Sequence, residues 1–377
     1  MNRIKYLVIM LLINISISQN LSDREIKEVS IVSTSNVFSE YYDCGCPKAP
    51  LGGLARKKYF LNNLMPNRNI ILIDSGNMFF DSNSINPDNL SLDNKKFKAR
   101  NLVKTLEVLD QEVVNIGAND FKAGLDFLKD ITEDSPVNFI SANLFDKRTN
   151  QLIFKPYHII DRAGLKIAFI GLSESADSKD LLNKDFNQIG NEYIELLQSK
   201  VDIVALLINV RDNNTSLENI YSNFKGANYI FLSGTTLRSE PRTKQYSGEG
   251  PFLYAGGIQG KHLSILDIRI NDKNKVINDV SASFNRLQEI DYRLNKLRSK
   301  DLSVKIEDLY ANQPNVLSLI QKYQKEATEI GISLSGFKNR SIFFSVPLAP
   351  GIPDDKDVAA FIEKVAKKAD FPLSHKH

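Results

Sequence analysis

Between residues 28 and 234 the chain repeats one pattern: a short apolar, β-branched run, a small or polar residue where it stops, then a stretch with helical spacing. The runs fall at 28–35, 69–76, 112–119, 138–145, 166–173, 202–209 and 228–234. Runs as continuous as Ile70-Ile71-Leu72-Ile73 suit strands covered on both faces, because neither side alternates to polar. Helical periodicity at 53–64, 95–109, 124–131, 189–200 and 216–224 separates them. Strands alternating with helices predict a layered α/β fold. The runs at 252–257 and 262–270 have no helix between them, which predicts a second sheet or an antiparallel edge.

After Phe284 the texture changes to charged helical stretches at 286–302 and 307–330. A strand-like run at 341–348, a Pro-Gly loop and an amphipathic helix at 357–368 follow. The expected division is a main domain at 28–284 and a helical extension with its tail at 285–377.

With 377 residues, 42% of them hydrophobic, the chain can bury one large core or two smaller ones. The net charge of +3, from 48 basic against 45 acidic residues, argues against a general binder of nucleic acid polymers or membrane surfaces. Two cysteines exclude a disulfide scaffold. At the start, Arg3 and Lys5 precede an apolar core at 6–17 and small polar residues up to Gln19, the pattern of an export signal at 1–19. The expected location is periplasmic or secreted, with membrane contact only through an uncleaved signal.

Several strand ends carry small residues followed by polar ones: Ser33–Asn36, Asp74–Asn77, Ile116–Asp120, Leu206–Asn209 and Leu232–Thr236. Loops at strand C-termini build sites in α/β sheets. The segments STSNVF, PLGGLARK, ILIDSGN, NIGANDFKAG, SANLFD, GLKIAFIGL, VDIVALLIN, YIFLSGTTL and YAGGIQGKHLSILDI follow in that order over residues 28–270. This succession resembles the N-terminal metallophosphoesterase domain of the 5′-nucleotidase family. The resemblance implies a calcineurin-like fold, a four-layer α/β/β/α sandwich. It also implies phosphate-ester hydrolysis by two metal ions that clamp the phosphate and lower the pKa of a bound water.

The family's motifs are T-x-D-x-H, G-D, G-N-H-E-F-D-x-G, an S-H or T-H pair, and G-H-x-H. On this chain the first falls on Thr34, with Asn36 for the aspartate and Phe38 for the histidine. Asn77 stands for the bridging aspartate, Ala118 for the liganding asparagine and Asn119 for the catalytic histidine. Asp120 replaces the glutamate and Lys122 the last aspartate of that motif, while Asn209, Thr235 and Leu237 replace the remaining histidines. All seven ligand positions are thus altered, and the glycines around them stay. A bridging ligand must bring negative charge, which neutral Asn77 lacks. The side chains of Phe38, Ala118 and Leu237 offer no lone pair. Asp74, Asp81, Asp120 and Asp212 lie nearby and could hold one hard cation, although aspartates near turns usually cap or face water. His158 and His262 lie outside the motifs and read as ordinary strand residues.

Two features are left over. Cys44-Gly45-Cys46 reads as a strained redox bridge, a partial soft-metal site, a link to another chain or two packed thiols. An extended Cys-x-Cys places its α-carbons near the roughly 7 Å limit for a relaxed bridge. Gly52-Gly53 with Arg56 is an anion-binding candidate through free N–H groups, or else a close-packed loop with Arg56 paired to a carboxylate.

The expected function is an exported metallophosphoesterase-like protein that has lost its dinuclear site and acts as a binding or assembly module, with no cofactor. A phosphohydrolase with a reduced or displaced site, using Mn, Zn, Fe or Mg, is the alternative. The third reading is a redox or metal-handling envelope protein using Cys44 and Cys46. The expected partners are an envelope protein or a phosphorylated small molecule. About a hundred residues follow Phe284, too few for the family's C-terminal nucleoside-binding domain.

Overall fold

A computed structural model describes residues 26–369, apart from 49, 82–90, 177, 244, 246–249, 300 and 302. The expected export signal and the last residues of the tail lie outside these.

The first sheet is centred on β1 (Lys27–Thr34) and β2 (Ile70–Asp74), which run parallel. β3 (Val113–Asn115) and β4 (Asn138–Ile140) extend it in parallel on one side. On the other, β13 (His262–Ile270) pairs antiparallel with β1, and β15 (Arg340–Pro347) antiparallel with β13. The short β14 (Asn278–Asp279) closes that edge. The second sheet has the order β12-β11-β10-β8-β7, formed by Phe252–Ala255, Tyr229–Ser233, Ile203–Asn209, Leu165–Ser173 and Tyr157–Arg162 respectively. A small third sheet joins β5 (Leu144–Asp146), β6 (Gln151–Leu152) and β9 (Leu181–Asn183).

Side-chain alternation builds the layers. On β1 and β2, Ile31, Ile71 and Ile73 turn inward to meet Ile167, Phe169, Ala205, Leu207 and Phe231 of the second sheet. Their neighbours Val32 and Leu72 turn outward against Phe60, Leu61 and Met65. On the second sheet, Ala168, Ile170, Leu206 and Ile208 turn outward against Ile194, Leu197, Ile220 and Phe224. Apart from their first one or two residues these strands are buried on both faces, which is why the runs do not alternate to polar.

The helices complete the sandwich. α1 (Leu54–Tyr59), α2 (Leu92–Val108) and α3 (Leu125–Thr132) lie on the first sheet; α4 (Phe186–Leu197) and α5 (Leu217–Asn223) lie on the second. α1 continues into a π-helical turn, Phe60–Leu64. Ser91, Asp185 and Ser216 cap α2, α4 and α5 with side-chain oxygens, satisfying N–H groups that a helix start leaves without partners. The architecture is the expected four-layer α/β/β/α sandwich.

After β14 the chain forms a helical hairpin of α6 (Ser281–Arg298), α7 (Ile306–Leu309) and α8 (Pro314–Gly336). A bidentate pair ties its arms, Arg286 reaching both oxygens of Glu326 at 2.6 and 2.8 Å. The chain then returns to the main body. β15 inserts beside β13, and α9 (Lys356–Lys368) buries Val358 and Ile362 in the core under α2. Strand and helix of the tail thus belong to the sandwich. Their apolar residues need partners that only the 28–284 layers supply.

Candidate functional site

The loops leaving β1, β2, β3, β10 and β11 gather at one end of the two sheets. They bring Asn36, Asn77, Asn209 and Thr235 together, all almost fully buried. Asn77 Nδ2 donates to Asn36 Oδ1 at 3.1 Å, and Gly234 N donates to the same oxygen at 2.9 Å. Asn36 Nδ2 in turn donates to the carbonyls of Thr235 and Gly257, both at 2.9 Å. Asn77 Oδ1 accepts from Asn119 N (3.0 Å), and Asn209 Oδ1 from Ala118 N (2.7 Å). Asn209 Nδ2 donates to Ser233 Oγ, which donates to the Ser75 carbonyl. Thr235 Oγ1 donates to Asn213 Oδ1.

The result is a neutral lattice in which amides and hydroxyls cross-link loops of both sheets. Each hydrogen bond here replaces one to water, and removing a partner would strand a buried group. The sequence pointed to Asn36, Asn77 and Asn209 and to the strand end that holds Ser233, but not to Asn115, Asn143 or Asn213. Asn115 Nδ2 donates to Ser75 and Leu172 carbonyls, so it too bridges the sheets. Asn143 exchanges two hydrogen bonds with the Ser173 backbone. The available signal was an asparagine or serine ending a buried run.

The remaining ligand positions give no donor set. Phe38 is buried as an apolar side chain, Leu237 is 46% exposed, and Ala118 packs against the first-sheet core. Asn119 is half-buried at the site's edge. Asn36, Phe38, Ser39 and Asn77 all hold positive φ, between 51° and 59°. Asparagine tolerates this backbone, whereas a bulky residue such as Phe38 is strained in it. The retained glycines have a steric cause. A Cβ on Gly117 would sit 2.5 Å from Asn77 N, and one on Gly234 1.8 Å from the Val210 carbonyl.

Beneath the lattice lie two buried carboxylates. Asp74 accepts from Thr34 Oγ1 at 2.7 Å and Gly76 N at 2.8 Å. Asp120 accepts from Phe79 N and Gly117 N, both at 2.8 Å. Burial raises both pKa values to about 7, against the lowering effect of these hydrogen bonds. Lys57, buried and donating to Gln111 Oε1 at 3.0 Å, is lowered to about 8 by the same desolvation, partly offset by Asp74. Thr34, Glu40 and Lys57 line a cavity of about 10 Å³ here, room for about one water.

The other candidates lie elsewhere or are engaged. Asp81 faces Lys95 at 3.5 Å, and Asp212 caps its own turn through Asn214 N; neither joins the lattice. Lys122 donates to the Asp81 carbonyl. His158 and His262 sit on β7 and β13, and burial lowers both pKa values, His262 to about 4. Arg56, beside Gly52 and Gly53, is engaged within the protein. Its guanidinium pairs with Asp43 at 2.9 Å and donates to the Pro50 and Gly52 carbonyls. Cys44 and Cys46 are in contact, sulfur to sulfur, at 2.9 Å.

The residues at the seven positions do not fit a pair of divalent ions. Every amide oxygen among them already accepts from an N–H, and none carries charge to offset a cation. The carboxylates of Asp74 and Asp120 serve backbone and Thr34 donors instead. Among the described residues no group of three or more His, Cys, Asp or Glu side chains is placed to hold a metal ion.

No protein-family model matches the chain. A 5′-nucleotidase of Vibrio cholerae is 35% identical over 92 residues, 24% of this chain and 15% of that protein. A 2′,3′-cyclic-nucleotide 2′-phosphodiesterase/3′-nucleotidase of Salmonella typhimurium is 26% identical over 215 residues, 52% of this chain and 33% of that protein. The chain thus matches 33% or less of the length of these two curated relatives. A calcineurin-like phosphoesterase of Bacillus subtilis superposes with a TM-score of 0.60, covering 91% of this chain and 98% of that one at 13% identity, a likeness of fold alone. In these partial sequence matches and in its fold, the chain resembles the metallophosphoesterase domain of the 5′-nucleotidase family.

Proposed function

We propose that this chain is a non-catalytic member of that family, exported by its first 19 residues and acting as a binding or assembly module. One observation carries the reading. The side chains at four of the seven ligand positions, Asn36, Asn77, Asn209 and Thr235, are hydrogen-bonded to one another, to neighbouring side chains or to the loop backbones, so a metal would have to break bonds that hold the two sheets together. Asn36 alone would give up two acceptor bonds, from Asn77 Nδ2 and Gly234 N. Its neutral oxygen would return no charge to a cation.

A hydrolase with a displaced metal would need Asp74 and Asp120. Both carboxylates are buried and satisfied by donors within the loops, which speaks against that use. No described helix is long and apolar enough to cross a membrane. The chemistry of a bound partner, an envelope protein or a phosphorylated small molecule, is open to test on the same material.

The test is metal analysis with a turnover assay on full-length protein. After incubation with Mn²⁺, Zn²⁺ or Fe²⁺ and desalting, the expected metal content is far below one equivalent, with no chelator-sensitive cleavage of a generic phosphate monoester. Retention of nearly two equivalents with cleavage abolished by chelator would overturn the reading.

A further inference from the structure

The loop that carries Cys44 and Cys46 is not part of the amide lattice, and its geometry is specific. Gly45, at φ +66°, folds the main chain between the two cysteines, a torsion open to glycine without strain. The extended Cys-x-Cys that would keep the α-carbons apart is therefore not the conformation present. Asp43 holds the turn from one side: its Oδ1 accepts from Gly45 N at 3.0 Å and its Oδ2 pairs with Arg56 at 2.9 Å. Cys44 N donates to the Leu51 carbonyl at 2.9 Å, and Asp43 bridges to Gly52. The turn is anchored at both ends.

The two sulfurs stand 2.9 Å apart. Two thiolates on one tetrahedral metal would stand roughly 3.8 Å apart, from Zn–S bonds of about 2.3 Å. A disulfide bond is about 2.05 Å, so the observed separation lies between the two, and among the described residues no third His, Cys, Asp or Glu side chain joins the pair to make a metal site. The pair is also asymmetric. Cys44 is 4% exposed, whereas Cys46 reaches solvent. Contact with Cys46 and the charge of Lys261 favour the thiolate at Cys44, against burial, and the Cys46 thiol is correspondingly raised.

We propose that Cys44-Gly45-Cys46 is a dithiol–disulfide couple that exchanges two electrons with an external disulfide. Cys46, the sulfur that reaches solvent, passes its proton to the adjacent Cys44 thiolate, attacks one sulfur of that disulfide and releases one partner thiolate, which takes up that proton, leaving a mixed disulfide. Cys44 thiolate then attacks Cys46 Sγ, forms the Cys44–Cys46 bond and releases the second partner thiolate. The two cysteine protons end on the two released thiolates, and the partner disulfide is reduced as the pair is oxidised. Exposed bridges in tight rings are the labile, exchanging kind, so the reverse reaction with a dithiol is equally open. The inference is independent of whether the lattice binds metal.

Full-length protein is equilibrated with glutathione and glutathione disulfide at varied ratios, acid-quenched, labelled with a maleimide and weighed intact. The expected result is loss of both labels together, at a midpoint that moves with the square of the glutathione concentration. Both thiols remaining labelled at every ratio, or stable glutathione adducts as the end state, would refute the couple. This readout needs no variant. With variants, Cys44→Ser is expected to accumulate a glutathione adduct on Cys46, roughly tenfold more than Cys46→Ser accumulates on the buried Cys44. Equal adducts on the two would remove the assigned roles.

Discussion

The amide lattice and the carboxylates beneath it are neighbours in the same loops, yet they have met burial in opposite ways. Asn36, Asn77 and Asn209 are neutral, and their burial costs little while every donor finds an acceptor. Asp74 and Asp120 are equally buried and equally hydrogen-bonded, but desolvation acts on their charged forms and lifts both pKa values to about 7. Hydrogen bonding alone therefore does not make a buried polar group insensitive to pH; neutrality does. In a site built to hold cations, carboxylates would be expected at the top of these loops. Here they lie below, under a neutral cover.

This contrast can be broken at its strongest point first. Asn36→Ala removes a side chain with four hydrogen bonds at 1% exposure. With about 1–3 kcal/mol for each buried group left unsatisfied, the expected loss is about 3–5 kcal/mol in urea unfolding. The loss should be the same at pH 5 and pH 8, since nothing in the lattice titrates between them; a loss that doubles across that range would dissolve the distinction.

Asp120→Asn sharpens the other side. A carboxylate whose folded pKa lies above its unfolded one contributes stability that is complete below the unfolded value and disappears as pH rises through the folded value. From about 4 up to about 7, the native protein should thus lose thermal stability, and both Asp74 and Asp120 contribute. The variant should show a shallower fall of melting temperature over that window. An unchanged slope would mean that Asp120 is not titrating there.

The smallest effect concerns Lys57. Its pKa is depressed to about 8, so its contribution is present at high pH and is lost as pH falls from about 10 through 8. Lys57→Met removes that loss and withdraws the positive charge that favours ionised Asp74. The melting-temperature decline assigned to Asp74 should then shift upward in pH. No shift would show that the two groups do not communicate.

Much of this molecule was legible in the sequence, and the reasons are physical. Strands such as Ile203–Asn209 are buried on both faces, so their apolar runs are unbroken and their edges nearly match the structure. By contrast β7 and β9 mix exposed and buried positions and carried no readable run. The segment expected as one strand at 138–145 is two, β4 and β5, because Ser141–Asn143 carries the chain from the first sheet to the third. At the site, residue types announced the missing charge. They could not announce that Asn36 and Asn77 face each other, because that contact spans 41 positions and depends on two loops meeting. Nor could they assign Arg56, whose partner Asp43 is thirteen residues earlier and joins it only through the turn at Gly52.

The torsions of Asn36, Phe38, Ser39 and Asn77 have a practical corollary. Residues of this size hold a left-handed main chain only where the surroundings impose it, at about 1–3 kcal/mol apiece for the non-asparagine positions. The bends needed to aim side chains inward from both sheets are already in place, held by the hydrogen bonds and packing of the loops. Anyone wishing to install cation chemistry on this scaffold would start with its geometry prepaid and would need to rewrite only side chains.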